Sequence, residues 1–250
     1  MKYKWANASL LFFSALILNS CQLLKPFGLG KKSEEVKVDS LSKDSSSTKL
    51  TKLLSGSEID SGVFNIIHKE KDYFFEIPLS KMDKDFLLIH KISSVPLAIN
   101  EAGLNKGMNF DNKVVRFSLN KIRKEVWVSE INPQVEVPKE DAIALSVAEN
   151  FTPSFIESFK IESYSKDSSA VLIKINKAFD GSEKSFHDVF NDLGLGTSAK
   201  TALSVIDQIK AFEDNIVVKS ILTTRVSEGN QSIPISIAVT SISWNCQITK

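Results

Sequence analysis

The sequence predicts an α+β fold: antiparallel sheet built from hairpins, with about three helices laid against it. Three observations carry that expectation. Between Gly62 and Pro96 lie three successive runs of aromatic and β-branched residues, the composition of strands. Three later pairs of similar runs are each joined by a short polar turn. Finally, 140–151, 183–193 and 198–212 carry apolar residues at helical spacing or sit behind helix-breaking glycines.

In chain order, Val63–His68 and Tyr73–Ile77 are split by the charged turn Lys69-Glu70-Lys71-Asp72, and Phe86–Ile92 follows a helix-prone connection, Leu79–Lys84. A Gly- and Asn-rich loop spans Ala98–Asn112. Lys113–Leu119 and Lys124–Ile131 then form a hairpin about Asn120–Arg123. Glu140–Phe151 places Ile143, Val147 and Phe151 on one helical face, and Pro153 ends it. Phe155–Tyr164 and Ala170–Ile175 make a second strand pair. Helices are expected at Glu183–Leu193 and Ser198–Phe212, separated by Gly194-Leu195-Gly196. The chain returns to strands at Asn215–Val226 and Ile233–Trp244, and no internal repeat occurs.

The N-terminus has the layout of a targeting segment. Lys2 and Lys4 precede an apolar run, Ala8–Leu18, that is too short to span a bilayer. It ends in Leu18-Asn19-Ser20-Cys21, which resembles a lipobox although Asn19 is an unusual middle residue. The resemblance implies that Cys21 is lipidated and becomes the first mature residue; the plainer alternative is a secretory signal that happens to contain a cysteine. Residues 1–20 are thus a lipoprotein signal peptide and 21–59 a polar tether with a short helical turn at Leu50, Leu53 and Leu54. Residues 60–250 are a single folded domain. Such a protein is exported and held at a membrane of the cell envelope, on its periplasmic or outer-membrane face.

Net charge is +1, and removing residues 1–20, with two lysines and no acid, leaves −1. No basic field remains to attract nucleic acid. With Cys21 acylated, Cys246 has no partner within the chain: it is a strand-end residue or the source of a disulfide between chains.

The sequence offers little for catalysis. No H-E-x-x-H and no G-x-S-x-G occurs, and Gly194-Leu195-Gly196-Thr197 lacks the spacing and lysine of a phosphate loop. The histidines are His68, His90 and His187. If the first three strands pair consecutively, His68, Tyr73 and His90 form a row with Glu70 and Asp72 near one end. That row is either a weak metal patch or, more simply, an aromatic ladder. His187 is expected on a helix surface. No catalytic, cofactor-binding or metal-binding residue is assigned, and no cofactor.

Several stretches are similar to one bacterial family. They are Gly62-x-Phe64, D-Y-F-F-E-I-P from Asp72, and D-F-L-L-I-x-K-I-S from Asp85. Further on come A-x-x-x-S-V-x-x-x-F from Ala142, F-I-E-S-F-K-I-E-S from Phe155, A-V-L-I-K-I-N-K-A-F from Ala170 and the stretch from Ser204 to Thr223. Over roughly residues 60–245 the chain resembles the non-catalytic N-terminal domain, of unknown function, of large secreted zinc-dependent metalloproteases. In that family the strand corresponding to Ile233–Trp244 leads into the catalytic domain. The resemblance implies a lipid-anchored domain without its zinc site, which packs on, chaperones or presents substrate to a catalytic chain. An independent periplasmic binding lipoprotein or scaffold would instead need a closed apolar pocket with convergent polar groups. An enzyme in its own right would need a perturbed titratable cluster.

One local pattern bears on partners. Apolar residues alternate at Ile233, Ile235, Ile237 and Val239, then change parity at Ile242 and Trp244, as at a bulge or where a strand leaves its sheet. Trp244 therefore either lies partly exposed on an apolar patch that docks a catalytic domain or a second copy, or closes the domain's own core.

Overall fold

Strand-forming residues dominate the chain even more than their sequence pattern suggests. The structure is a computed structural model that describes residues 41–135, 137–138, 140–228 and 231–245. Eleven strands occur: β1 (Glu58–Asp60), β2 (Asn65–Lys69), β3 (Asp72–Pro78), β4 (Asp85–Ser94), β5 (Asn109–Asn120), β6 (Glu125–Glu130), β7 (Ser154–Tyr164), β8 (Ala170–Lys174), β9 (Val205–Ala211), β10 (Asn215–Glu228) and β11 (Gln231–Asn245). They form one sheet in the order β1-β2-β3-β8-β7-β6-β5-β4-β11-β10-β9, antiparallel at every pairing. The segment expected to be a signal peptide, Cys21 and Cys246 lie outside the described residues.

The two edges of this sheet come back together. The Val63 N–H donates to the Phe212 carbonyl at 2.8 Å, and the Ala211 N–H donates to the Asp60 carboxylate at 2.8 Å. The result is a nearly closed, barrel-like sheet. Gly62 permits the approach: a Cβ there would lie 2.7 Å from the Phe212 nitrogen and 2.8 Å from the Ala211 Cβ. Only glycine lets two backbones pass so closely.

Inward positions of the sheet fill the interior with their own side chains. Phe64 is its hub, 5.9 Å from the Phe75 ring, 5.2 Å from Phe86 and 5.8 Å from Phe117, the last two edge-on. A second apolar cluster gathers Ile92, Phe110, Phe190, Leu222, Ile237 and Val239. Outside, helix α1 (Leu41–Leu54) lays Leu50, Leu53 and Leu54 on Ile67, Phe74 and Leu172, which point outward from β2, β3 and β8.

The expected α+β class is therefore wrong. In the structure strand makes up 49% and helix 17% of what is described, and three helices do not pack on a sheet. The remaining helices are short: α2 (Leu97–Glu101), α3 (Ala144–Asn150), α4 (Asn176–Phe179) and α5 (Val189–Asp192). Two differences have clear causes. The helix expected over Ser198–Phe212 is a 3-10 turn, Thr201–Leu203, followed by β9. Ile206 and Ile209 are both buried because a bulge at Asp207 shifts the register, with Gln208 opposite Lys219 but Ile206 opposite Ser220. That bulge turns the two-residue repeat of a strand into a spacing of three, which imitates a helix. Helix α1, in turn, occupies part of the stretch read as tether. Its single buried leucine stripe is too short to stand out among serines and lysines.

Candidate functional site

The row His68–Tyr73–His90 is half present. His68 does pair with Tyr73 across the β2–β3 turn, and the two rings stack 4.3 Å apart at 6°. His90 does not join them: β3 pairs with β8, while β4 lies between β5 and β11. A long-range pairing takes the place of the sequential one, so the row does not form and His90 lies away from His68 and Tyr73. Among the described residues no group of three His, Cys, Asp or Glu side chains is placed to hold a metal.

His90 instead meets His187. Inward positions along β4 run Phe86, Leu88, His90 and Ile92, and His90 falls where the two apolar clusters meet. The segment before α5 crosses the same level, so Phe186 enters one cluster, Val189 and Phe190 the other, and His187 is held between them. The two imidazole rings are 4.9 Å apart and nearly perpendicular. His187 is thus buried, not on a surface as its sequence context suggests.

The protonation of this pair follows from its contacts. The His90 Nδ1 lies 2.9 Å from the Asp111 carbonyl, which can only accept, so Nδ1 carries the proton and Nε2 a lone pair. His90 Nε2 and both His187 nitrogens are buried with no hydrogen-bond partner among the described residues. Burial pushes the His90 pKa down to about 4, against a smaller upward pull from Asp111. Burial likewise pushes His187 to about 3, helped by His90 and by the Lys113 ammonium. Lys113 is fixed by the Asp111 carboxylate and donates to the Phe186 carbonyl at 3.2 Å. Two neutral imidazoles walled off from solvent can bind no bulky substrate; what they can do is register acid.

Concavities also open elsewhere on the described surface, among them the following two. The edges of the barrel enclose a groove of about 310 Å³ beside His68 and Tyr73, rimmed by Glu58, Asp60 and Asp207. Beyond β6, a cleft of about 600 Å³ opens between the strand end and α3, lined by Val135, Val147 and Phe151 with Arg116 and Glu130.

Trp244 is 42% exposed. The parity change before it is not a bulge against β10: that ladder runs without a shift from Asn215–Trp244 to Glu228–Gln231. Ser241 and Ser243 continue the inward row, while Ile242 and Trp244 point outward. They extend an outer stripe with Val217 on β10 and Leu87 and Ile89 on β4, which stand directly opposite.

Residues 107–246 match the family described as domain of unknown function DUF5117, and residues 47–95 match a second, DUF5118. The chain belongs to the DUF5117 family. No curated protein and no solved structure matches it. The two matched segments of this DUF5117 chain are structurally inseparable. The DUF5118 segment supplies β1–β3 at one edge of the sheet and β4 between β5 and β11. Its Phe64, Phe75 and Phe86 share one cluster with Phe117 and Phe159 of the DUF5117 segment.

Proposed function

We propose that this chain is a lipid-anchored, non-catalytic domain that works by docking on a catalytic chain of the zinc-metalloprotease type. The observation that carries the reading is the outward stripe of Val217, Ile242, Trp244, Leu87 and Ile89. Two apolar side chains at the end of the last strand, Ile242 and the 42%-exposed Trp244, are turned out beside the half-buried Val217 of β10 and Leu87 and Ile89 of β4. A soluble domain gains nothing from such a patch unless something covers it. The absence of H-E-x-x-H from the sequence and the likeness of Gly62–Phe64, Asp72–Pro78 and Asp85–Ser93 to the start of those proteases support the same reading. In this account Cys21 carries acyl chains, the tether gives reach, and Trp244 marks the docking face. A second copy of the chain is the other occupant the stripe would fit.

An independent binding lipoprotein is the second reading, and one observation favours it: the apolar cleft between the end of β6 and α3, with Arg116 and Glu130 on its wall. It would require small-molecule binding there.

The experiment is made in the native host. Wild-type chain should fractionate with membranes and carry acyl mass on Cys21, and Cys21→Ala should move it to the soluble fraction. A photo-crosslinker at position 244 should then capture a chain containing H-E-x-x-H. An unmodified mature N-terminus elsewhere would sink the anchor. Capture of nothing, or of copies of this chain alone, would sink the catalytic partner.

A further inference from the structure

The barrel is closed at one end of its seam and open at the other. Among the described residues, two bonds join its edges, Val63 to Phe212 and Ala211 to Asp60. Beyond these bonds the free side of β9, at Asp207 to Ile209, borders the groove of about 310 Å³. Backbone groups alternate in direction along a strand. Since the Ala211 N–H points into the seam, the Ile209 N–H and C=O point the same way, and among the described residues no backbone partner meets them there. The groove is lined mainly by polar groups, Glu58, Asp60, His68, Asp207 and Gln208, with Glu58 3.7 Å from the His68 ring; Tyr73 and the nearly buried Ile66 and Ile209 form its floor.

We propose that this seam binds an extended, lysine- or arginine-bearing peptide segment of a partner protein, added as a strand along β9. Strand addition draws its affinity from backbone bonds and its selectivity from alternate side chains. One face of the added strand would lay apolar side chains on Ile66, Tyr73 and Ile209. Cationic side chains would reach Glu58 and Asp207. Burial, and then the charges of Asp207 and Glu58, hold the Tyr73 hydroxyl above its usual pKa, which reports the negative field inside the groove. A second copy fits poorly, because pairing β9 with β9 would set Asp207 and Glu58 against their own copies.

The test uses the full chain with Cys21→Ser and a synthetic peptide of alternating lysine and valine. The peptide should bind with measurable heat and shift the amide resonances of Ile209 and Asp207. Charge reversal by Glu58→Lys with Asp207→Lys should weaken it about tenfold, the scale of two exposed ion pairs. A peptide of equal charge interrupted by proline should not bind, because it cannot pair as a strand. Equal binding of the proline peptide, equal binding to the charge-reversed chain, or shifts confined to Leu87 and Trp244 would each overturn the proposal. The stripe at Trp244 is untouched by these variants, so failure here leaves the docking reading standing.

Discussion

Gly62→Ala should lower stability by about 2–4 kcal/mol. A methyl group at this position cannot be accommodated by a rotamer change, because what it meets is the backbone of Phe212 and the Cβ of Ala211. Overpacking of this kind costs roughly 1–3 kcal/mol. Pushing the edges apart also endangers the Val63–Phe212 hydrogen bond, worth about 1 kcal/mol. Gly62 is not one of the glycines at positive φ, so backbone strain is not involved. The loss should appear as a lower urea midpoint with an unchanged slope. A variant as stable as wild type would mean that the seam is not closed at this point.

Acid should destabilise the chain well before its carboxylates titrate, and His187→Leu should remove much of that effect. In the unfolded chain both histidines take up protons near their ordinary value of 6.5. In the folded chain His90 waits until about pH 4 and His187 until about pH 3. As pH falls from 6.5, the unfolded state binds protons that the folded state refuses, so stability declines. The window runs from 6.5 down to those folded values. At pH 5 each histidine should cost about 2 kcal/mol relative to pH 7. The charged groups around the pair do not reverse the sign. The Lys113 ammonium depresses both histidines, and the opposing pull of Asp111 on His90 is weaker than burial. Asp192, whose carboxyl burial pushes up, contributes in the opposite direction. Denaturation midpoints measured from pH 7.5 to 4.5 should fall steeply in wild type and about half as steeply in His187→Leu. Equal slopes would show that the imidazoles are not held neutral.

Local structure was legible in the sequence, and long-range pairing was not. The hairpins β5–β6, β7–β8 and β10–β11 each lie about a short polar turn, and their strands fall where alternation and turn residues put them. The stacking of His68 on Tyr73 was readable for the same reason. The insertion of β8 beside β3, and of β4 between β5 and β11, depends on which surfaces bury best together, and no local signal encodes that. His90 and His187 consequently meet through topology alone. A hint was present, since both lie among buried apolar residues; but an isolated histidine in such a run looks equally like a polar face. Trp244 gave a true signal with a wrong cause. The parity change foretold an outward tryptophan, yet the strand kept its register with β10, shifted only against β4 at Ala238–Val239, and turned Ser241 and Ser243 inward. The Gly62-x-Phe64 motif likewise marks the seam and the aromatic hub of the barrel, a structural role in a stretch noticed for its family likeness.

The claim on which this account rests is that the face around Trp244 serves a partner and not the domain's own core. The measurement is Trp244→Ala made in the chain with Cys21→Ser, scored both for unfolding free energy and for association in sedimentation, alone and with the chain captured at position 244. The expected result is a stability change below about 1 kcal/mol, as for a surface position, together with loss of association. A stability loss of about 3–5 kcal/mol, the scale of an aromatic core truncation, with association unchanged would contradict it.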